Sequence, residues 1–240
     1  SYAAAAKQYV KMGYKYIALG GLVRSTTKDI ISILNRVHEV VPKEIPIHLF
    51  GIARTEALAE FSQKGVRSVD SASYLRRAWL VAKDNYFTLG GDNYSSIRIP
   101  EPGKSYRAKR IVSEGRATEK ALRKLEGECR KVMGEIAKKE ISVAKALDPL
   151  EEYDLLISNE RVSLRESYRR TLEDRPWEKC PCEICQKWGI HVIVFRGNNR
   201  NRRRGFHNTY VYYRLLQQYL NGDVGSLGIS NSKQLELKFG

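Results

Sequence analysis

The first part of the chain alternates short apolar runs with longer segments in which apolar residues recur at helical spacing. From residue 1 to about 85, this pattern predicts a strict alternation of helices and strands. Strands separated by helices of this length form parallel βαβ units. The strands lack polar alternation, which predicts burial on both faces of the sheet. The predicted helices run to Met12, over Thr27 to Val40, over Thr55 to Gln63 and from about Leu75, and the predicted strands are Tyr16 to Leu19, Ile47 to Phe50 and Val66 to Val69.

The pattern changes after residue 85. Residues 86–101 are rich in aromatic residues, glycine and serine, and they predict a loop that ends in a short strand. Residues 106–147 are dense in Lys, Glu, Arg and Ala and predict one or two long helices. The last part predicts a strand over residues 192–195, an arginine-rich loop and an amphipathic helix over residues 207–220. We therefore predict an α/β chain in three parts, with residues 1–101 as βα units, 102–165 as a helical insert and 166–240 as a small basic subdomain.

Length and composition favour a folded protein. The chain has 240 residues, of which 42% are hydrophobic, enough to bury one large core or two small ones. No apolar run approaches the roughly 20 residues of a membrane span, and no secretory signal begins the chain. The chain starts at Ser1, without an initiator Met, and continues at once into a predicted helix. We therefore expect a fragment whose beginning is missing, with no membrane segment.

The charge balance indicates a polyanionic partner. The formal net charge is +15, with 42 Lys and Arg against 27 Asp and Glu. Such a surplus repels itself in a compact fold, and nucleic acid is its commonest partner. A merely solvated basic surface is the alternative, and it is also the default interpretation of the Lys and Arg on the predicted insert helices.

Three of the four cysteines fall in one short motif, Cys180-Pro-Cys182-Glu-Ile-Cys185. Their spacing is too tight for ordinary disulfide pairing and favours a metal site in a reducing cytoplasm. Three thiolates and one imidazole complete a closed tetrahedral site of the structural Zn²⁺ type. We expect His207 as the fourth ligand, with His191 as the alternative.

An arginine-rich segment, Arg196 to Gly205, lies between the predicted last strand and last helix. Guanidinium groups bind phosphate oxygens bidentately, so this segment predicts contact with a nucleic-acid backbone. The alternatives are a solvated loop or one arginine that balances the negative zinc-thiolate centre. The candidate nucleic-acid contacts in this segment are Arg196, Arg200, Arg202, Arg203 and Arg204.

Several motifs occur in the order found in one enzyme family. Gly20-Gly21-Leu22, Phe50-Gly51, Val69-Asp70-Ser71, the cysteine motif and a distal histidine together resemble the tRNA-guanine transglycosylase superfamily. In that family the sixth, seventh and eighth strands of a barrel carry the first three motifs. The resemblance implies the C-terminal part of a (β/α)8 TIM-type barrel, with about five βα units upstream of Ser1. It covers residues 14–77 and 180–220 and does not explain the helices between them.

The resemblance also implies residue roles. The backbone of Gly20, Gly21 and Leu22 would hold an incoming 7-deazaguanine base, Phe50 would pack against its flat face, and Asp70 would be the catalytic nucleophile. Each residue taken alone has a simpler interpretation. A strand-end aspartate often caps the following helix, paired glycines often form an ordinary turn, and a phenylalanine often belongs to the core.

The implied reaction replaces guanine in a nucleic acid with a 7-deazaguanine, such as 7-cyano-7-deazaguanine, by double displacement. Bacterial tRNA enzymes of the family carry a Pro-Thr-Arg run after the nucleophile, whereas this chain has Ser71-Ala-Ser-Tyr-Leu-Arg76-Arg77. This departure favours the members that modify DNA over those that modify tRNA, with Arg76 and Arg77 as further contacts. A second aspartate, the family's general base, would lie upstream, so we expect this chain alone to be inactive. A homodimer, partner subunits, and a non-catalytic zinc-containing nucleic-acid binder remain open alternatives.

Overall fold

The computed structural model of the chain describes residues 1–52, 54–158 and 162–220. Most of these residues group into two compact units, Ser1–Tyr74 and Leu75–Gln218. The end of the predicted small basic subdomain, residues 221–240, lies outside the described residues.

The first unit is a three-stranded parallel sheet with helices between the strands. The strand order is β1-β2-β3, with Ile17 opposite Ile47 and Leu49 opposite Val69. The predicted parallel βαβ arrangement is therefore confirmed. Its elements are α1 (Tyr2–Lys11), β1 (Ile17–Leu19), α2 (Thr27–His38), β2 (Ile47–Leu49), a 3-10 turn (Thr55–Ala57), α3 (Leu58–Gln63) and β3 (Val66–Val69).

Alternation along the strands gives this sheet two different faces. Ile17, Leu19, Ile47 and Leu49 lie in a core that the helices cover. Ala18, which alternates with them, is exposed. The expected burial of both faces is therefore wrong for the described residues, because the second face carries small and polar side chains. Thr26 caps the N-terminus of α2 through a capping box with Asp29.

The second unit combines a helical layer with short strands around one apolar core. The strand pair β6-β7 is parallel, with Ile97 opposite Val194, and β4-β5 is an antiparallel hairpin that the sequence did not predict. Its elements are α4 (Ser73–Leu80), β4 (Tyr86–Phe87), β5 (Asn93–Tyr94), β6 (Ile97–Arg98), α5 (Tyr106–Ser113), α6 (Glu119–Lys138), α7 (Val143–Ser158), α8 (Arg165–Asp174), α9 (Pro176–Lys179), α10 (Glu183–Trp188), a 3-10 turn (Gly189–Val192), β7 (Val194–Phe195) and α11 (Asn198–Leu220).

Three predictions for this unit need correction. The insert begins with three helices, because Gly115 and Lys139 adopt positive φ angles that end α5 and α6. The predicted strand at residues 192–195 is limited to Val194–Phe195. The predicted arginine-rich loop is largely helical, since α11 begins at Asn198.

The helical insert and the cysteine motif share one core. Leu122 and Met133 of α6 belong to the same buried cluster as Cys180 and Cys185. A division of the chain at residues 101 and 165 therefore stays a prediction, and the contacts group residues 75–218 together.

Within the described ranges, the helices are all too short or too polar to cross a lipid bilayer.

Candidate active site and metal centre

The three barrel-type motifs meet at one edge of the first unit. Gly20, Phe50 and Asp70 directly follow β1, β2 and β3, which run parallel. The backbone N–H of Phe50 donates to Leu19 O at 3.0 Å, and that of Asp70 donates to Leu49 O at 3.4 Å. Parallel pairing therefore places all three residues at the carboxyl ends of neighbouring strands, where α/β proteins assemble their sites.

The carboxylate of Asp70 is oriented by two contacts to one oxygen and is otherwise exposed to solvent. Its Oδ1 accepts a hydrogen bond from the backbone N–H of Gly51 at 3.0 Å and lies 3.2 Å from Nε2 of His48. The side chain remains 59% exposed. The Gly51 hydrogen bond lowers the pKa of Asp70, and His48 adds a smaller lowering against a raising effect of burial. Asp70 is thus ionised at neutral pH and oriented.

Asp70 lies at the end of a chain of polar contacts along the open face of the sheet. Nδ1 of His48 lies 2.6 Å from Oγ of Ser68, which in turn lies 2.5 Å from the hydroxyl of Tyr16. A carboxylate can only accept, so Nε2 of His48 donates to Asp70; with the proton on Nε2 alone, Nδ1 accepts from the Ser68 hydroxyl. Sequence reasoning missed His48, although its position two residues before Phe50 puts both on one strand face.

The Gly20-Gly21 turn lies beside the ring of Phe50. A Cβ added at Gly20 would stand 3.7 Å from Cδ2 of Phe50, and the carbonyl of Gly20 accepts from the Tyr2 hydroxyl at 2.8 Å. Gly21 has φ +76°, which favours glycine. The ring of Phe50 is 51% exposed and contacts His48 edge to face, with centroids 4.5 Å apart.

Leu22 and Gly51 hold the backbone at this edge of the sheet in place. The Leu22 side chain is buried, so only its backbone can face a ligand. Gly51 has φ +75°, and an added Cβ would lie 2.7 Å from Cγ2 of Val23. The position therefore requires glycine, and that glycine supplies the N–H that orients Asp70.

The second unit brings the predicted metal ligands together. Cys180, Cys182, Cys185 and His207 are all buried, and their ligand atoms lie within 4.8 Å of one another. Nδ1 of His207 is 3.4 to 3.5 Å from each sulfur. A tetrahedral Zn²⁺ site has S to N edges of about 3.5 Å when its bonds have their usual lengths. The cluster therefore has the dimensions of a closed metal site.

A hydrogen bond to the other ring nitrogen, Nε2, orients His207 for metal binding through Nδ1. Nε2 donates to the carbonyl of Phe87 at 2.8 Å, which leaves the Nδ1 lone pair facing the sulfurs. The ring of Tyr86 stacks on His207 at 3.9 Å, and its hydroxyl lies 3.2 Å from Sγ of Cys185. His191, the alternative ligand, is exposed on a 3-10 turn outside this cluster.

Arg204 is part of the protein interior. Its side chain is 0% exposed, and it donates to the carbonyls of Ala78 at 2.5 Å and Val192 at 3.1 Å and to Oδ1 of Asn201 at 2.9 Å. Burial lowers its pKa to about 9. The prediction that Arg204 contacts nucleic acid is therefore wrong, because its donors bind the chain itself. Gly205 beside it belongs to α11, where an added Cβ would lie 2.8 Å from Leu75.

The other six candidate arginines fall into three groups. Two are engaged by their own unit: Arg196 pairs with Glu126 at 2.7 Å, and Nε of Arg77 donates to the carbonyl of Asp84 at 2.9 Å. Arg203 stacks over the ring of Trp188, with its guanidinium carbon 3.3 Å from the ring centroid. The remaining three lie at or near the surface of helices: Arg76 and Arg202 are exposed, and Arg200 is half-buried.

Comparisons with known proteins agree with the motifs. Over 223 residues the chain is 38% identical to a DNA-guanine transglycosylase of Salmonella montevideo. The aligned region covers 92% of this chain and 54% of the relative. It is 32% identical to a queuine tRNA-ribosyltransferase of Psychrobacter sp. (strain PRwf-1), over 38% of this chain and 23% of the relative. A third relative, the queuine tRNA-ribosyltransferase of Blochmanniella pennsylvanica, is 28% identical over 41% of this chain and 28% of its own length.

The chain thus spans about half the length of the first relative and less of the other two. The family model described as queuine tRNA-ribosyltransferase matches residues 2–220, which is most of the chain. The chain therefore belongs to the queuine tRNA-ribosyltransferase family.

Proposed function

We propose that this chain is the C-terminal half of a guanine transglycosylase, in which Asp70 attacks the sugar carbon that bears the exchanged base. One observation carries the proposal: an exposed, oriented carboxylate lies at the same sheet edge as the Gly20-Gly21 turn and the open ring of Phe50. An aspartate that served only as a helix cap would not need a hydrogen bond from the preceding strand's Gly51. The three strands would be the last of a (β/α)8 barrel.

The proposed reaction consists of two successive displacements at the anomeric carbon of the sugar. The Asp70 carboxylate forms a bond to that carbon while the bond to guanine breaks, and guanine leaves with the electron pair and takes up a proton. A 7-deazaguanine then attacks the same carbon and loses a proton, and the ester bond to Asp70 breaks. The two inversions give net retention. The proton transfers need a general base that we expect from the preceding barrel strands.

We assign each residue of the first-unit site a separate role in this reaction. The Gly51 N–H and His48 aim the carboxylate, and they also stabilise its charge between turnovers. Phe50 provides a flat apolar surface for a purine-like ring. The backbone of Gly20, Gly21 and Leu22 offers donors and acceptors beside that surface. Asp70 can stabilise the cationic sugar because it stays ionised at neutral pH.

DNA is the proposed substrate. The DNA-guanine transglycosylase relative matches 92% of the chain, whereas the two tRNA relatives match 38% and 41%. The segment after Asp70 also departs from the run that the tRNA enzymes carry there. The base must leave its stack to reach Asp70, which requires the protein to grip the backbone on either side.

Zn²⁺ is the proposed metal, and it would be held by Cys180, Cys182, Cys185 and His207. The donor set, its burial and the free Nδ1 of His207 fit a structural site. When bound, the ion would crosslink the cysteine motif to α11 and supply no reactive ligand position, because all four positions are filled by protein. The reaction itself is left to the first unit.

The test is base exchange in the protein that contains this chain. Radiolabelled guanine or 7-cyano-7-deazaguanine is offered with duplex DNA, with single-stranded DNA and with tRNA. Asp70→Asn should abolish incorporation and leave DNA binding intact, and Asp29→Asn, which removes an exposed helix-capping carboxylate in the same unit, should retain it. Undiminished exchange by Asp70→Asn would overturn the catalytic assignment. Incorporation into tRNA alone would overturn the choice of DNA.

A further inference from the structure

The second unit contains a cationic groove along α6 that the proposed chemistry does not use. It has a volume of about 380 Å³, and buried apolar side chains form part of its wall. The rest of the groove is lined by glycines and by charged or polar side chains: Gly127, Arg130, Lys131 and Gly134 of α6, His191 of the 3-10 turn and Arg200 of α11.

The two glycines open the groove. Gly127 and Gly134 are seven residues apart and so lie on one face of α6, with Arg130 and Lys131 between them. Glycine is among the least favourable residues inside a helix. A Cβ added at either position would meet no heavy atom of the described chain within 4 Å. Packing within the unit therefore gives no reason for glycine here, whereas close approach of a ligand to the helix does.

The charges around the groove are mainly positive. Burial lowers the pKa of Arg200, and the neighbouring charges of Arg196 and Arg130 add to this effect. Glu126, the acidic group that acts on the pKa of Arg200, already pairs with Arg196 at 2.7 Å, and Arg130 reaches it only at 3.8 Å. Glu101 lies 3.9 Å from Arg196. Lys131 lies 3.8 Å from Glu135 on its own helix. The half-buried Arg200 thus lies among further cations, and an external anion bound there would relieve their repulsion.

We propose that this groove binds the phosphodiester backbone of the DNA substrate, with Arg130, Lys131 and Arg200 as the phosphate contacts. The inference rests on the proposed function for the identity of the ligand. The two glycines are about 10 Å apart along the helix axis, which matches about three phosphates of one strand at about 3.4 Å of helix axis each. The contact reads no base edges, so it adds affinity and register but no sequence preference.

Binding of fluorescent duplex DNA, single-stranded DNA and tRNA is measured by anisotropy at several salt concentrations, with each variant checked for an unchanged melting temperature. Arg130→Gln and Arg200→Gln should each weaken DNA binding on the order of tenfold and lower the salt slope by about 0.9. The matched control is Arg107→Gln, which removes an exposed arginine of α5 outside the groove. It should leave affinity and salt slope as they are.

A second pair of variants separates ligand contact from folding. Gly127→Ala and Gly134→Ala place methyl groups in the groove without a clash in the protein, so the melting temperature should stay the same or rise while DNA affinity falls. Groove variants that bind DNA like the Arg107→Gln control would overturn the proposal. Weaker binding of tRNA alone would also overturn it, in favour of an RNA ligand.

The outcome is distinct from that of the catalytic test. The groove variants should recover near-normal base exchange at saturating DNA, whereas Asp70→Asn should lose exchange at every DNA concentration. Failure of the groove proposal would show as unchanged binding with Asp70 still essential. Failure of the proposed function would show as exchange that does not depend on Asp70.

Discussion

The backbone N–H of Gly51 donates a 3.0 Å hydrogen bond to Oδ1 of Asp70. The bond joins the residue after β2 to the residue after β3, so the direction of the carboxylate depends on the register of two strands. The same glycine has φ +75° and no room for a side chain against Val23. The Phe-Gly pair in the sequence therefore orients Asp70 through Gly51, beside the ring of Phe50 that we propose as the surface for a flat base.

Gly51→Ala should destabilise the first unit and reduce base exchange. A positive φ and a Cβ 2.7 Å from Val23 force the turn to move, at a cost of about 1–3 kcal/mol. Thermal unfolding and exchange kinetics measure both effects. The matched change is Gly20→Ala, whose Cβ would meet Phe50 at an ordinary 3.7 Å. It should keep stability within about 0.5 kcal/mol and raise the KM for the incoming base. Equal stability losses for the two variants would contradict this account of Gly51.

His48→Leu should lower kcat by about tenfold, because Asp70 loses one of the two contacts that aim it. His48→Gln keeps an amide donor and should recover part of the rate. His38→Gln is the control, since His38 lies in α2 and packs against Gly65. A normal kcat for His48→Leu would show that the Gly51 bond alone positions the carboxylate.

The pH profile distinguishes positioning from ionisation. Both contacts lower the pKa of Asp70. In wild type the pH at which Asp70 becomes protonated should therefore lie below the ordinary aspartate pKa of about 3.9. In His48→Leu the acid limb of exchange should move to higher pH, yet Asp70 should remain ionised at pH 7. The rate loss at pH 7 then reflects geometry. An acid limb that does not move would mean that His48 does not contact the carboxylate.

The chain-order motifs predicted which residues would share a site, because parallel pairing brings strand ends together whatever lies between them. They could not predict His48 or the contact from Ser68 to Tyr16, since these depend on which strand face is open. Simple apolar runs suggested that both faces were covered. The strand-end positions of Gly20, Phe50 and Asp70 are visible in the sequence, whereas the hydrogen bonds that orient them are not.

Removing one sulfur ligand should remove the metal and unfold the second unit. The protein should contain one Zn²⁺ per chain by elemental analysis, and Cys182→Ser should lose it and melt at a much lower temperature, since structural zinc contributes directly to folding. Cys129→Ser is the matched control, because Cys129 is buried in the same unit and its Sγ lies 3.2 Å from the carbonyl of Pro149. It should keep the full metal content. Full zinc content in Cys182→Ser would contradict the four-ligand site.

Arg204→Met and Arg202→Met should affect different properties, protein stability for the first and DNA binding for the second. Arg204→Met leaves the buried carbonyls of Ala78 and Val192 without donors and should destabilise the protein by roughly 3 kcal/mol. Arg202→Met removes an exposed cation and should change the salt dependence of DNA binding without lowering stability. Chemical denaturation and anisotropy separate the two. A stable Arg204→Met variant with weakened DNA binding would restore Arg204 as a nucleic-acid contact.

The arginine-rich segment shows where composition misleads. Its glycine and asparagine residues favoured a loop, but Gly205 is required where α11 approaches Leu75. Asn201 accepts from the buried Arg204 inside the helix. Tertiary contacts thus override local propensity in this segment, and a count of arginines could not separate the interior residue from the exposed ones. The cysteine motif was more informative, since metal ligation depends on residue type and spacing.

The most direct measurement is capture of the covalent intermediate. DNA is mixed with the protein in the absence of an incoming base, the mixture is denatured, and the crosslinked peptide is sequenced by mass spectrometry. The account predicts a sugar adduct on Asp70 that disappears when 7-cyano-7-deazaguanine is added and never forms in Asp70→Asn. An adduct on another residue, or base exchange that proceeds in Asp70→Asn, would contradict it.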